Sequence, residues 1–150
     1  MSASPLAMIS TPPELARVLY VDDEPDIREV VEIALGLMSG VAVRTCSSGT
    51  EALQQLIDFR PDLVLLDVMM PGLDGPATLE RMRGDPRFCN IPVAFMTAKA
   101  LPQEVDRFMS LGAVGVISKP FDPMQLAHRV KQLWHSVSAS DRNLDNETKN

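Results

Sequence analysis

Five side chains in this sequence could do chemistry together: Asp22, Asp23, Asp67, Thr97 and Lys119. Each follows a short apolar run of β character. The clearest run lies in Pro61 to Gly75, PDLVLLDVMMPGLDG. Leu63 to Leu66 is apolar without alternation, as in a strand buried on both faces. It ends on Asp67, and Pro71-Gly72 and Asp74-Gly75 then mark a tight loop. In open α/β sheets, ligands bind beyond the carboxyl ends of the strands. If the runs before Asp22, Asp67, Thr97 and Lys119 are parallel strands, all these residues share one edge. Two carboxylates about 5 Å apart repel by roughly 3 kcal/mol at an effective dielectric near 20. Such a cluster protonates or takes a cation. All-oxygen ligands with room for water suit Mg²⁺. Thr97 adds a hydroxyl and Lys119 a point charge, which together suit a phosphoryl group with charge on its equatorial oxygens.

Each residue also has a plainer reading. Asp67 could cap the following turn, and Asp22 could be the N-cap of a helix opened by Pro25. Thr97 could open the fourth helix, and Lys119 could be a solvated loop lysine. Their joint placement at strand ends favours a shared site.

The elements that would position them alternate along the chain. Strands are expected at Arg17 to Val21, Val41 to Thr45, Leu63 to Leu66, Ile91 to Met96 and Ala113 to Ile117. Helices are expected from Pro25 to Met38, Thr50 to Phe59, about Pro76 to Arg83, Pro102 to Leu111, and from Asp122-Pro123 through Trp134. The first helix carries Ile27, Val30, Val31, Ile33, Ala34, Leu35, Leu37 and Met38 at near-helical spacing. The second carries Ala52, Leu53, Leu56 and Ile57 on one face. Alternation of this kind predicts an α/β sandwich, a parallel sheet with helices on both sides and right-handed crossovers. Residues 15–137 form the expected domain. Residues 1–14 read as a flexible N-terminal arm with three prolines, and residues 138–150 as a disordered, polar tail. His128 and His135 read as surface residues, Trp134 as a core or edge anchor, and Met69-Met70 as packing.

The chain has 150 residues, 45% of them hydrophobic, enough for one sizeable core. Its net charge of -6 disfavours nonspecific binding to nucleic acid or to an anionic membrane. Cys46 and Cys89 have no metal or redox spacing, which favours a reduced, cytoplasmic setting. The sequence carries neither a signal-peptide pattern nor an apolar stretch of membrane-spanning length.

Val21-Asp22-Asp23-Glu24-Pro25, the segment Pro61 to Gly75, Met96-Thr97-Ala98 and Lys119-Pro120-Phe121 together resemble the receiver domain of two-component response regulators, the CheY-like family. The resemblance spans roughly Arg17 to Val137. It implies a flavodoxin-like (βα)5 fold of strand order 2-1-3-4-5, an order for which the family itself supplies a standard example. It implies that Asp67 is the phosphoacceptor for a histidine kinase phosphohistidine. Asp23 and Asp67 would hold Mg²⁺ directly with the main-chain oxygen of Met69, and Asp22 would act through water. Lys119 would pair with the phosphoryl group, Thr97 would swing in to bond it, and Lys119-Pro120 would be cis.

Two positions depart from the family pattern. Val116 stands three residues before the lysine, where Tyr or Phe is frequent. The switch is therefore expected to travel through the loop and helix from Lys99 to Leu111. Met69 stands two residues after the phosphoacceptor, where side chains influence the water that hydrolyses the acyl phosphate, and where a phosphohydrolase of the haloacid dehalogenase type needs a second Asp. That enzyme is the competing reading, and a non-phosphorylated receiver-like scaffold is a third, opposed by the complete residue set. The expected module is a single-domain signalling receiver rather than an enzyme. Its partners would be a histidine kinase or phosphotransfer protein and a downstream protein target, with the receiver a monomer or a phosphorylation-dependent dimer.

Overall fold

The structure is a computed structural model that describes the backbone of residues 14–149 and the side chains of residues 14–137. Strands and helices alternate as β1 (Arg17–Val21), α1 (Pro25–Gly36), β2 (Ala42–Cys46), α2 (Gly49–Asp58), β3 (Leu63–Asp67), α3 (Gly75–Arg83), β4 (Val93–Thr97), α4 (Pro102–Ser110), β5 (Gly115–Ser118) and α5 (Pro123–Lys149). All strand pairs are parallel, in the order β2-β1-β3-β4-β5. This is the flavodoxin-like sheet expected from the sequence.

Every residue of β3 and β4 is buried. Side chains alternate across a strand, so each strand feeds two core layers. Leu19, Val21, Val64, Leu66 and Phe95 point into one layer, with Leu56, Leu79, Met82 and Phe108 from α2, α3 and α4. Val18, Tyr20, Leu63, Leu65 and Met96 point into the other, with Val31 and Leu35 of α1 and Leu126 and Val130 of α5. Each fully buried Leu, Val or Phe contributes about 1.5–3 kcal/mol, enough to hold a charged edge against its own repulsion.

Local chemistry sets the helix starts. Ser48 caps α2 by accepting the Glu51 N–H at 3.1 Å, and the Ser47 hydroxyl donates to the Glu51 carboxylate at 2.9 Å. Asp74 caps α3 by accepting the Ala77 N–H at 2.9 Å. The N-cap of α1 is Glu24, without a side-chain bond, and Pro25 begins the helix. Asp22 therefore does not cap α1 in the ordinary way; its carboxylate accepts the Glu24 N–H instead.

Several expectations are corrected. Ile57 on α2, expected on one face with Leu56, is exposed, because 3.6-residue geometry turns it away from that residue. β4 starts at Val93 rather than Ile91, since Pro92 has no N–H for the ladder. Met70 packs in the core, but Met69 is 79% exposed. The last helix is Pro123–Lys149, and the side chains of the expected tail from Ser138 lie outside the described residues. Residues 1–13 of the expected N-terminal arm lie outside the described residues. Among the described residues, no helix is long and apolar enough to cross a membrane.

Candidate functional site

Val21 pairs with Leu66, so Asp22 and Asp67 leave the sheet side by side. Asp23 joins them, and one oxygen from each of the three carboxylates lies within 4.8 Å of the others. Asp22 is fully buried, Asp67 nearly so, and Asp23 is half-buried. Lys119 enters from the end of β5. Its Nζ lies 2.8 Å from Oδ2 of Asp22 and 3.3 Å from Oδ1 of Asp67. Its backbone N–H donates to the Thr97 carbonyl at 2.8 Å, and the Lys119-Pro120 peptide is cis.

Backbone packing fixes the two aspartates differently. Arg28 of α1 donates to the Asp22 carbonyl at 2.8 Å, which holds the Asp22-Asp23 turn. Behind Asp67, the start of α3 comes so close that a Cβ on Gly75 would collide with the Asp67 carbonyl oxygen. Only glycine permits that approach.

The carboxylates sit in unlike electrostatic settings. Burial opposes the charge on Asp22, but hydrogen bonds from Lys119, Tyr20 and the Glu24 N–H outweigh it and hold its pKa below the usual value. Burial also opposes the charge on Asp67, and the neighbouring Asp22 adds to it. Lys119 compensates only partly, so the Asp67 pKa is pushed up to about 6. Burial works against charged Lys119, yet Asp22 and Asp67 more than reverse it and raise its pKa.

The structure brings Asp22, Asp23, Asp67 and Lys119 together. Thr97 is buried at the end of β4, with its hydroxyl turned to its own loop. Oγ1 accepts the Lys99 N–H at 3.1 Å and lies 3.4 Å from the Lys99 carbonyl. It does not bond Asp67. Met69 lies on the exposed loop beyond Asp67. The donor set fits a small hard dication: all oxygen, three carboxylates, and among the described residues no hydrogen bond or ion pair to the Asp23 carboxylate. Sequence reasoning passed over Tyr20, whose hydroxyl donates to Oδ2 of Asp22 at 2.6 Å. The signal was available, because residues i and i+2 of a strand share a face.

The fold and this edge define an α/β receiver module, and Met69 stands where a haloacid dehalogenase type hydrolase needs its second Asp. Residues 18–131 match the family model of the response regulator receiver domain, and the chain belongs to that family. It is 37% identical over 123 residues to the response regulator Rre1 of Synechocystis, covering 82% of this chain and 53% of that protein. It is 34% identical over 124 residues to the phosphate regulon transcriptional regulatory protein PhoB of Pseudomonas aeruginosa, covering 83% and 54%. The solved structure of the chemotaxis response regulator CheY4 of Vibrio cholerae matches with a TM-score of 0.73 at 30% identity, over 80% of this chain and 99% of that one. The chain spans about half the length of the curated relatives it matches. Receiver domains of this family are phosphoacceptor signalling domains.

Proposed function

We propose that Asp67 accepts a phosphoryl group from the phosphohistidine of a histidine kinase or phosphotransfer protein. The observation that carries this reading is the Asp67 carboxylate itself. It ends a fully buried strand, with Lys119 3.3 Å away and two further carboxylates within 4.8 Å. An Asp67 oxygen attacks phosphorus, the phosphorus–nitrogen bond breaks, and the histidine nitrogen leaves with the electron pair. Lys119 moves from sharing Asp22 and Asp67 toward the new phosphoryl oxygens. The Thr97 hydroxyl exchanges Lys99 for the same group. Asp23, Asp67 and the main-chain oxygen of Met69, with Asp22 through water, would hold Mg²⁺, which when bound supplies positive charge to the crowded oxygens.

Phosphorylation then alters a protein-binding face read by a downstream protein or by a second copy of the receiver, in a cytoplasmic setting consistent with the free thiols of Cys46 and Cys89. The test is incubation with a small acyl-phosphate donor and Mg²⁺. One phosphoryl group should be added, labile to base and hydroxylamine, and Asp67→Asn should carry none because an amide is not a nucleophile. Label retained in Asp67→Asn, or stable to base, would sink the proposal.

A further inference from the structure

A carboxylate offers about four lone-pair positions. On Asp22, the Tyr20 hydroxyl at 2.6 Å and Lys119 at 2.8 Å occupy both positions on Oδ2, and the Glu24 N–H at 3.0 Å takes one on Oδ1. A single position on Oδ1 is left for a cation or its water. Tyr20 is itself fully buried, in the layer that also holds Val31, Leu35 and Ile117, so its phenol is fixed by packing on two helices' side of the sheet.

We infer that Tyr20 is a positioning residue for phosphoryl transfer: its phenol locks Oδ2 of Asp22 away from the metal and keeps Lys119 shared between Asp22 and Asp67. This rests on the assignment of Asp67 as phosphoacceptor. Without the phenol, Oδ2 faces one donor instead of two. Lys119 is then drawn closer to Asp22, at the expense of Asp67 and of an incoming phosphoryl oxygen. The freed lone pair also lets the Asp22 carboxylate turn more of itself toward a cation. Tyr20→Phe should therefore move two properties in opposite senses, binding Mg²⁺ more tightly while accepting phosphate more slowly. Loosened packing would weaken both.

The experiment compares wild type and Tyr20→Phe, which keeps the ring and its core contacts. Mg²⁺ is titrated into the unphosphorylated proteins while the Glu24 amide, which donates to Oδ1 of Asp22, is followed by NMR. Initial phosphorylation rates are measured with a small acyl-phosphate donor at saturating Mg²⁺. The expected result is a displaced Glu24 amide in the metal-free variant, a dissociation constant lower by roughly threefold to tenfold, and a rate lower by a similar factor. In a Lys119→Met background, Tyr20→Phe should still tighten Mg²⁺ binding. An unchanged rate, or an Mg²⁺ affinity that weakens along with it, overturns the role while leaving the phosphoacceptor reading intact. A wild-type protein that takes no phosphoryl group overturns both.

Discussion

The ends of β1 and β3 place two aspartates side by side in one sheet, both withdrawn from water, yet the surroundings drive them apart. Asp22 receives a phenol, an ammonium and a backbone N–H, and it is held ionised. Among the described residues, Asp67 receives only a longer contact from the same ammonium and lies next to a full negative charge, so its pKa rises to about 6. Burial is common to both, so the difference comes from hydrogen-bond supply. The saturated carboxylate serves as a fixed part of the frame. The undersupplied one is the carboxylate that would attack phosphorus under the proposed function.

The largest expected consequence is the cost of removing the saturated member. Asp22→Asn leaves Lys119, whose side chain is 17% exposed, without its nearest counterion. Breaking such a pair from one side should cost about 4 kcal/mol in the metal-free protein, read by urea unfolding at pH 7. A loss below about 1 kcal/mol would show that Asp67 alone can satisfy the lysine, and the contrast between the two aspartates would collapse.

The opposite sign is expected for the undersupplied member. The folded protein binds the Asp67 proton more tightly than the unfolded chain does. Between about pH 4 and pH 6 the folded state therefore carries the extra proton, and stability from this group is lost as pH rises through that window. The shift corresponds to about 3 kcal/mol at most. Asp67→Asn should thus stabilise the metal-free protein at pH 7 by up to that amount, and the gain should vanish near pH 4. Mg²⁺ affinity should fall as pH drops below about 6, where the proton competes. A flat difference between wild type and Asp67→Asn over pH 4–7 would mean that the strain on Asp67 is absent.

A smaller effect separates the backbones behind the two residues. Gly75 touches the main chain at Asp67 and has no part in holding Asp22. Gly75→Ala should cost about 2 kcal/mol through overpacking. It should slow phosphoryl uptake while leaving the Glu24 amide, a reporter of Asp22, near its wild-type position. Equal displacement of that amide would show the two strand ends to be mechanically coupled.

How much of this the sequence discloses depends on which physical signal carries it. The sheet and the acidic edge are legible because unbroken apolar runs such as Leu63 to Leu66 mean burial on both faces, and each run ends on its chemical residue. The unlike fates of Asp22 and Asp67 are not legible in residue type or position. They depend on Lys119, 97 residues from Asp22 along the chain. Tyr20 is intermediate: its place on the face of Asp22 follows from strand alternation, but a tyrosine inside an apolar run reads equally as core. Ile33 and Leu37, the latter the C-cap of α1, are exposed because eight apolar residues between Ile27 and Met38 exceed what a single buried stripe can hold.

The smallest expected effects concern β4, whose end differs from both aspartate sites in bonding to its own loop. Among the described residues, the Thr97 hydroxyl bonds only to the main chain of Lys99, at 3.1 and 3.4 Å. A phosphoryl group on Asp67 offers a charge-assisted bond worth roughly 1.5–3 kcal/mol. That is comparable to the gap separating two conformers of a two-state element. Under the proposed function, taking it would release Lys99 and free the start of α4. Two residues before Thr97, on the same face, Phe95 packs against Phe108 of α4, with ring centroids 5.0 Å apart and tilted by 52°. An aromatic pair of this geometry adds about 0.5–1.5 kcal/mol beyond its buried area, so it binds α4 to β4. Val116 faces Phe95 across the β4–β5 ladder, but it is short and β-branched and has little rotamer freedom. Amide shifts on adding beryllofluoride should therefore be large over Ala98 to Leu111 and vanish in Thr97→Ala. They should shrink over α4 in Phe108→Leu and stay nearly unchanged in Val116→Ala. Equal loss of the response in Val116→Ala would place the switch in β5 and leave the Phe95–Phe108 contact as packing alone.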